Sequence, residues 1–335
     1  MHAYFLNRPV AQSAEHVTLN LGVVGSNPTG PTNLKPETME IKNILDSYQI
    51  NIDDASIEKE INKITSNISS IYNIDTLKQI FGFIDLTTLN HTDSAERAKL
   101  FAENVNQFKA NFPEMPNVAA ICVYPTLVEH VKANLHTKGV NIASVVGGFP
   151  SSQTFIDLKE EETKRAIQKG ANEADMVISV GTFLSGDYQT VFDEIKTLKN
   201  AVGTNHLKVI LESGSLENLS NVKIASVLAV EAGCDFLKTS TGKTNPAATL
   251  EAVYVMAQTA KEFFEKTGKK IGIKPAGGIS DSETALKFYA VIKEVLGNEW
   301  LNPKLFRIGA SSLANKLLND ITQMGSEKTE EIKYF

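Results

Sequence analysis

Four charged side chains fall where the surrounding residues announce a dry interior. Asp85, Asp175, Lys238 and Lys274 each lie inside a short run of β-branched and apolar residues. Inside a strand buried on both faces, a charge costs free energy unless it is paired or hydrogen-bonded. Two acids and two lysines in one interior roughly cancel. One reading is a buried ion network without chemistry. The other is catalytic: a lysine that is partly desolvated and close to a second cation has a lowered pKa. It is then a neutral amine at physiological pH, able to form a Schiff base with a carbonyl. The position of both lysines near the ends of their strands favours the catalytic reading. Lys274 is flanked on its own face by the small residues Gly272 and Ala276, which leaves room for a long side chain. Glu212 and Arg307 also lie near strand ends. Their direction is ambiguous, and they are read as supporting residues.

Three loops add a second signal. Thr239-Ser240-Thr241-Gly242-Lys243 supplies hydroxyls and a cation, Gly277-Gly278 follows Lys274, and Gly309-Ala310-Ser311-Ser312 opens a helical pattern. Small residues let backbone N–H groups approach an anion, and a helix N-terminus adds positive potential. A glycine pair alone marks a turn. Three such loops in succession beside a lysine pair point to a phosphate.

The elements that carry these residues repeat regularly. Candidate strands cover 81–86, 118–124, 142–147, 174–179, 207–212, 234–239, 271–275 and 305–309, with helical patterns between them. The segment 94–109 is such a helix, with Ala98, Phe101, Val105 and Phe108 on one face and Asp93 or Ser94 as its cap. Eight strand–helix alternations predict an α/β fold, a (β/α)8 TIM barrel, whose active sites lie at the C-terminal ends of the strands. A doubly wound open sheet is the alternative, weakened because no Gly-x-Gly-x-x-Gly follows the first strand. Ile57, Ile61, Ile64 and Ile68 recur at helical spacing and predict an N-terminal helical extension.

Composition sets the outer limits. The 335 residues carry 33 basic and 39 acidic side chains, a net charge of −6, with 42% hydrophobic residues. There is no basic excess to suggest nucleic acid as a partner. No apolar run approaches the roughly 18 residues that span a bilayer, so no membrane partner is expected. The two cysteines, Cys122 and Cys234, lie in apolar runs and read as buried thiols of a cytoplasmic protein. The six His are scattered without metal-ligand spacing, so no metal is expected. His91 reads as a capping or surface residue.

The first residues differ from the rest. Met1 to Asn33 contain one acid, Glu15, no Lys and no helical or strand period. The run Gly25-Ser26-Asn27-Pro28-Thr29 back-translates to the T-arm consensus of tRNA genes, and Val10 to Thr29 resembles a peptide conceptually translated from one. The expectation is a start near Met39, with a flexible natural extension as the alternative. Four parts follow: 1–38 outside the working protein, 39–78 helices packing on the barrel, 79–324 the barrel, and 325–335 a polar tail. The tail reads as frayed. A second reading folds it over the pocket, with Tyr334 assisting proton transfer.

At these motifs the chain resembles deoxyribose-phosphate aldolase, a class I aldolase family with a (β/α)8 barrel. The segments that carry the resemblance are Asp85-Leu86-Thr87-Thr88-Leu89-Asn90, Cys122-Val123-Tyr124-Pro125, Ala143 to Pro150, Glu173 to Val177, Lys208 to Glu212, Phe236 to Lys243, Lys274-Pro275-Ala276-Gly277-Gly278 and Arg307 to Ser312. They keep the family's order over roughly residues 80 to 320. The resemblance implies reversible cleavage of 2-deoxy-D-ribose 5-phosphate to D-glyceraldehyde 3-phosphate and acetaldehyde, in deoxyribonucleoside catabolism. It implies Lys238 as the Schiff-base lysine, Lys274 as the lysine that keeps its pKa low and joins the proton relay, and Asp175 as the acid that, with a water, donates and accepts the protons. Gly242, Gly277, Gly278, Ser311 and Ser312 fall on phosphate-binding positions with Lys243 beside them, and Thr239 and Gly309 join that set. Asp85, Thr87 and Cys122 are supporting residues. No cofactor is implied, and the partners are the sugar phosphate and acetaldehyde, with a homo-oligomer left open. Ile279-Ser280 stands where some members carry Arg, and Gly147-Gly148 has one Gly more than some members. Another phosphate-binding barrel enzyme, or a barrel that only binds a sugar phosphate, are the competing readings.

Overall fold

Eight short strands follow one another in parallel: β1 (Ile84–Thr87), β2 (Ala120–Val123), β3 (Asn141–Val146), β4 (Glu173–Val177), β5 (His206–Ile210), β6 (Phe236–Lys238), β7 (Gly272–Lys274) and β8 (Ile308–Ala310). The computed structural model describes residues 36–325 and 331–335, so the expectation for residues 1–38 lies almost wholly outside the described residues. Each strand falls in or across a candidate run. The observed strands are shorter where their flanks turn into loops.

Consecutive strands pair in order from β1 to β7, and β1 also pairs with β8. The seam between β7 and β8 is held by the bridges Ile273↔Phe306 and Ala276↔Gly309. Ile273 N donates to Leu305 O at 2.9 Å, Arg307 N to Ile273 O at 3.1 Å and Gly309 N to Pro275 O at 2.9 Å. The sheet therefore curls into a nearly closed (β/α)8 TIM barrel, and the doubly wound alternative falls. Strands buried on both faces explain the β-branched runs.

Twelve helices accompany the strands among the described residues. Three precede the barrel: α1 (Pro36–Asp46), α2 (Asp54–Thr65) and α3 (Ile74–Phe81). The ring is built from α4 (Ala95–Asn111), α5 (Val128–Asn134), α6 (Ile156–Gln168), α7 (Val180–Leu184), α8 (Tyr188–Val202), α9 (Leu219–Glu231), α10 (Leu250–Thr267), α11 (Ser282–Leu296) and α12 (Leu313–Gly325). Side-chain caps start many of them. Ser94 accepts from Arg97 N for α4, and Asn218, Thr249 and Asp281 do the same for α9, α10 and α11, each satisfying a donor the helix leaves free. Ser94, not Asp93, caps α4. Asp93 instead accepts from Thr88 and from Asn90 N. On α4, Ala98, Ala102, Val105 and Phe108 are buried, while Phe101 is half-buried. The isoleucine stripe of α2 buries Ile57 and Ile61 against α10 and α11.

The main core fills the layer between barrel and helices. A small cluster of Leu89, Ala120, Cys122, Ala143 and Val145 occupies part of the lumen. The terminus is not frayed over 331–335. Asn319 clasps Ile332 through both its N–H and its carbonyl, Asn315 accepts from Tyr334 N at 2.9 Å and Phe335 N at 3.0 Å, and Phe335 packs on Phe81 and Phe108. The Tyr334 hydroxyl donates to Asn104 O at 2.8 Å. Tyr334 therefore lies against α4 and α12, away from the lysine pair, and the reading that folds it over the pocket is corrected.

Candidate active site

The lumen is an ion network larger than the four charges read from the sequence. Lys238 ends β6 and Lys274 ends β7, and the two are register partners on neighbouring strands. Both donate to one oxygen, Asp175 Oδ2, at 2.8 Å and 2.7 Å. The other oxygen of Asp175 accepts from Lys208 Nζ at 2.8 Å. Lys208 also donates to Glu173 at 2.5 Å. Arg307 reaches Glu173 Oε1 at 2.8 Å and Asp85 Oδ1 at 2.6 Å, and Asp85 Oδ2 accepts from Lys274 at 2.6 Å. All these side chains are buried.

Three acids face four cations, so the network balances when one cation gives up its proton. The environment selects Lys238. Burial is the largest influence on it and lowers its pKa; Asp175 opposes, and the charge of Lys274 lowers it further. Lys274 is buried too, but Asp175 and Asp85 outweigh the burial and raise its pKa. For Lys208, burial is overcome by Asp175, Glu173 and Asp85, and the pKa rises. Burial alone would raise the three acids. Instead Lys274, Arg307 and Lys208 hold Asp85 below its ordinary value. Lys208, Lys238 and Lys274 hold Asp175 well below, and Lys208 with His206 and Arg307 does so for Glu173. The arrangement is one lysine whose pKa is lowered, beside an ammonium and a carboxylate that their partners hold charged.

Glycines shape this interior. A side chain on Gly309 would meet Ala276 Cβ at 2.8 Å and Lys274 Cε at 3.1 Å, so glycine leaves the lane for the lysine. The space beside Gly272 is different from the expectation. The ring of Phe236 fills it, 2.3 Å from where a Cβ would stand. Lys274 owes its room to Gly309.

Above Lys238 opens a cavity of about 260 Å³. Thr87, Lys238, Gly242, Lys243, Gly277, Gly278, Gly309, Ser311 and Ser312 line it, as do Leu89, Thr241, Ala276 and Ile279. Gly242, Gly277 and Gly278 have φ of 76°, 86° and 77°, in the left-handed region that favours glycine. Helix α12 begins immediately after Ser312, so its positive end meets the cavity. Lys243 Nζ donates to Leu89 O at 2.5 Å, bridging the loops after β6 and β1.

Five of the sequence candidates do not line this cavity. Asp85, Asp175 and Lys274 belong to the ion network beneath it. Cys122 is buried in the lumen, and burial raises its thiol pKa. Thr239 is turned into the sheet: its hydroxyl donates to Ala276 O at 3.2 Å and accepts from Ala276 N at 3.0 Å. A direct substrate contact from Thr239 is therefore corrected to a brace between β6 and the loop after β7. His91 is exposed. The extra glycine of Gly147-Gly148 has a physical account, because both residues take left-handed φ, 75° and 70°, and Gly148 N donates to Glu162.

Sequence reasoning missed Glu173 and Lys208 and undervalued Arg307. Alternation was the available signal. Glu173 lies two residues before Asp175, so it shares a face with a residue already assigned to the lumen. Among the described residues, no three His, Cys, Asp or Glu side chains group so as to hold a metal ion.

Residues 80–313 match the family described as DeoC/LacD family aldolase. A Caenorhabditis elegans relative is 43% identical over 271 residues, covering 80% of this chain and 89% of its own length. The deoxyribose-phosphate aldolase of Homo sapiens is 41% identical over 254 residues, covering 71% of this chain and 78% of its own. Among solved structures, the aldolase QR15 matches with a TM-score of 0.58 and 29% identity over 71% of this chain and 96% of its own. A lysine pair on neighbouring strands, the loops above it and these likenesses agree, and the chain belongs to the DeoC/LacD family of aldolases.

Proposed function

We propose that the protein is a class I aldolase that cleaves 2-deoxy-D-ribose 5-phosphate to D-glyceraldehyde 3-phosphate and acetaldehyde, and catalyses the reverse addition. One observation carries the reading: the lysine with the lowered pKa, Lys238, lies at the floor of a cavity whose rim is three glycine- and serine-rich loops and a helix N-terminus. The relatives named above support the choice of substrate.

The neutral amine of Lys238 attacks the C1 aldehyde, and loss of water leaves an iminium. The C3 hydroxyl gives up its proton, the C2–C3 bond breaks, and its electron pair moves to the iminium nitrogen as an enamine. C3 leaves as the aldehyde of glyceraldehyde 3-phosphate. The enamine takes a proton at C2, and water releases acetaldehyde and regenerates the amine. Asp175, held ionised beneath the cavity, accepts and returns the protons by way of a water. Lys274 stays charged and keeps Lys238 neutral between turnovers. Gly242, Gly277, Gly278, Ser311 and Ser312 receive the phosphate with Lys243 beside them.

Reduction with borohydride in the presence of acetaldehyde tests this. The expected result is one ethyl adduct, on the peptide that contains Lys238, and its loss together with all turnover in Lys238→Met. An adduct on a different lysine, or trapping by dihydroxyacetone phosphate and not by acetaldehyde, overturns the reading.

A further inference from the structure

Glu212 follows β5 in a backbone conformation that its residue type avoids. Its φ and ψ are 54° and 52°, in the left-handed region, where a non-glycine residue is strained. Its side chain is 4% exposed. The carboxylate spends both oxygens on the next loop: Oε1 accepts from Thr241 N at 3.1 Å and Oε2 from Thr241 Oγ1 at 2.6 Å. Thr241 Oγ1 in turn accepts from Lys243 N at 3.0 Å. Gly242, between them, lies against Gly277, where a Cβ would come within 3.0 Å of the Gly242 Cα. A second contact joins the same two loops. A Cβ on Gly214 would stand 1.8 Å from Pro246 O, so the segment after β5 is pressed on the loop after β6 at both ends.

A carboxylate this close to an anion site opposes the anion by charge. What it offers instead is shape. We propose that Glu212 is a positioning residue for the phosphate: its buried carboxylate folds Thr241–Gly242–Lys243 into the conformation that accepts a phosphate dianion, without itself touching substrate. This rests on the aldolase reading for the substrate that brings the phosphate, but the loop's affinity for phosphate can be read without catalysis.

Inorganic phosphate is titrated calorimetrically into the full-length protein and into Glu212→Gly, Glu212→Gln and Thr241→Ser. Glycine removes the carboxylate and relieves the left-handed strain, which partly offsets the two hydrogen bonds lost, so the Glu212→Gly variant should fold with a cooperative melting transition yet bind phosphate at least tenfold more weakly. Thr241→Ser keeps the hydroxyl and should bind within twofold of wild type. Glu212→Gln should raise KM for 2-deoxyribose 5-phosphate at least threefold with kcat nearly unchanged, and leave kcat/KM for unphosphorylated 2-deoxyribose as it was. Phosphate affinity in Glu212→Gly within twofold of wild type overturns the proposal. So do equal losses on both sugars in Glu212→Gln, or a wild type that binds no phosphate. A wild type that binds phosphate but traps no acetaldehyde ends the aldolase reading and leaves this one standing.

Discussion

Lys274→Met removes one charge from the lumen while keeping most of the side chain's length, and its effect can be worked out in advance. Lys238 and Lys274 donate to the same Asp175 oxygen at 2.8 Å and 2.7 Å. Their nitrogens are thus at most about 5.5 Å apart, where two unit charges repel by about 3 kcal/mol at an effective dielectric of about 20. That is worth about 2 pH units in the titration of Lys238. The lost competitor also leaves Asp175 more fully to Lys238, which acts in the same direction. Charge balance agrees: with Lys274 gone, three acids face Lys208, Arg307 and a Lys238 that is now better kept protonated. The acid limb of kcat/KM should therefore move up by about 2 units, and the rate near pH 7 should fall about 100-fold. Raising the pH should restore most of it. The assay is kcat/KM against pH from 6 to 10, with the rate of borohydride trapping at Lys238 followed in parallel. An acid limb that stays in place refutes the reasoning. A loss that persists at high pH does so as well, because Lys274 would then move a proton itself.

Two further predictions concern stability. Asp85, Glu173 and Asp175 have folded pKa values held below their ordinary range. The unfolded chain therefore binds their protons first, and their contribution is present above about pH 4 and lost as the pH falls below it through the depressed values. Denaturant midpoints should be flat near neutrality and drop steeply below about pH 4; a midpoint unchanged to pH 3 would contradict the network. Truncation after Glu331 removes the rings of Tyr334 and Phe335 and the backbone groups clasped by Asn315 and Asn319. It should cost about 2–4 kcal/mol of stability, read as a lower melting temperature, while kcat and KM stay within twofold. Loss of activity in a truncated protein that melts normally would reinstate a catalytic role for Tyr334.

The barrel was legible because both faces of each strand are buried, which writes β-branched runs at regular spacing into the sequence. The site was legible where a charge interrupts such a run, as at Asp85, Asp175, Lys238 and Lys274. Glu173 and Lys208 escaped because they lie at or near the strand starts, where a charge reads as a solvated end. Only the closed barrel turns them inward. Thr239 was misread for a related reason: sequence shows a hydroxyl in a loop but not whether the hydroxyl is spent on the neighbouring strand. The ordered terminus was invisible because its polar residues say nothing of the two asparagines that hold its backbone. The strain at Glu212 was equally hidden, since a left-handed glutamate has no signature in composition.

The bond between Arg307 and Asp85 joins residues 222 positions apart, and it bears on how the chain is made. Synthesis runs from β1 towards β8, so Asp85 and Glu173 leave the ribosome long before the guanidinium that bridges them. A nascent chain that ends before β8 already holds Lys208, Lys238 and Lys274 against the three acids, but the bonds from Arg307 to Asp85 Oδ1 and to Glu173 are still missing. The last strand thus completes the network. Until Arg307 arrives the lumen lacks these bonds, and Asp85 gains its second cationic hydrogen-bond donor only with the last strand.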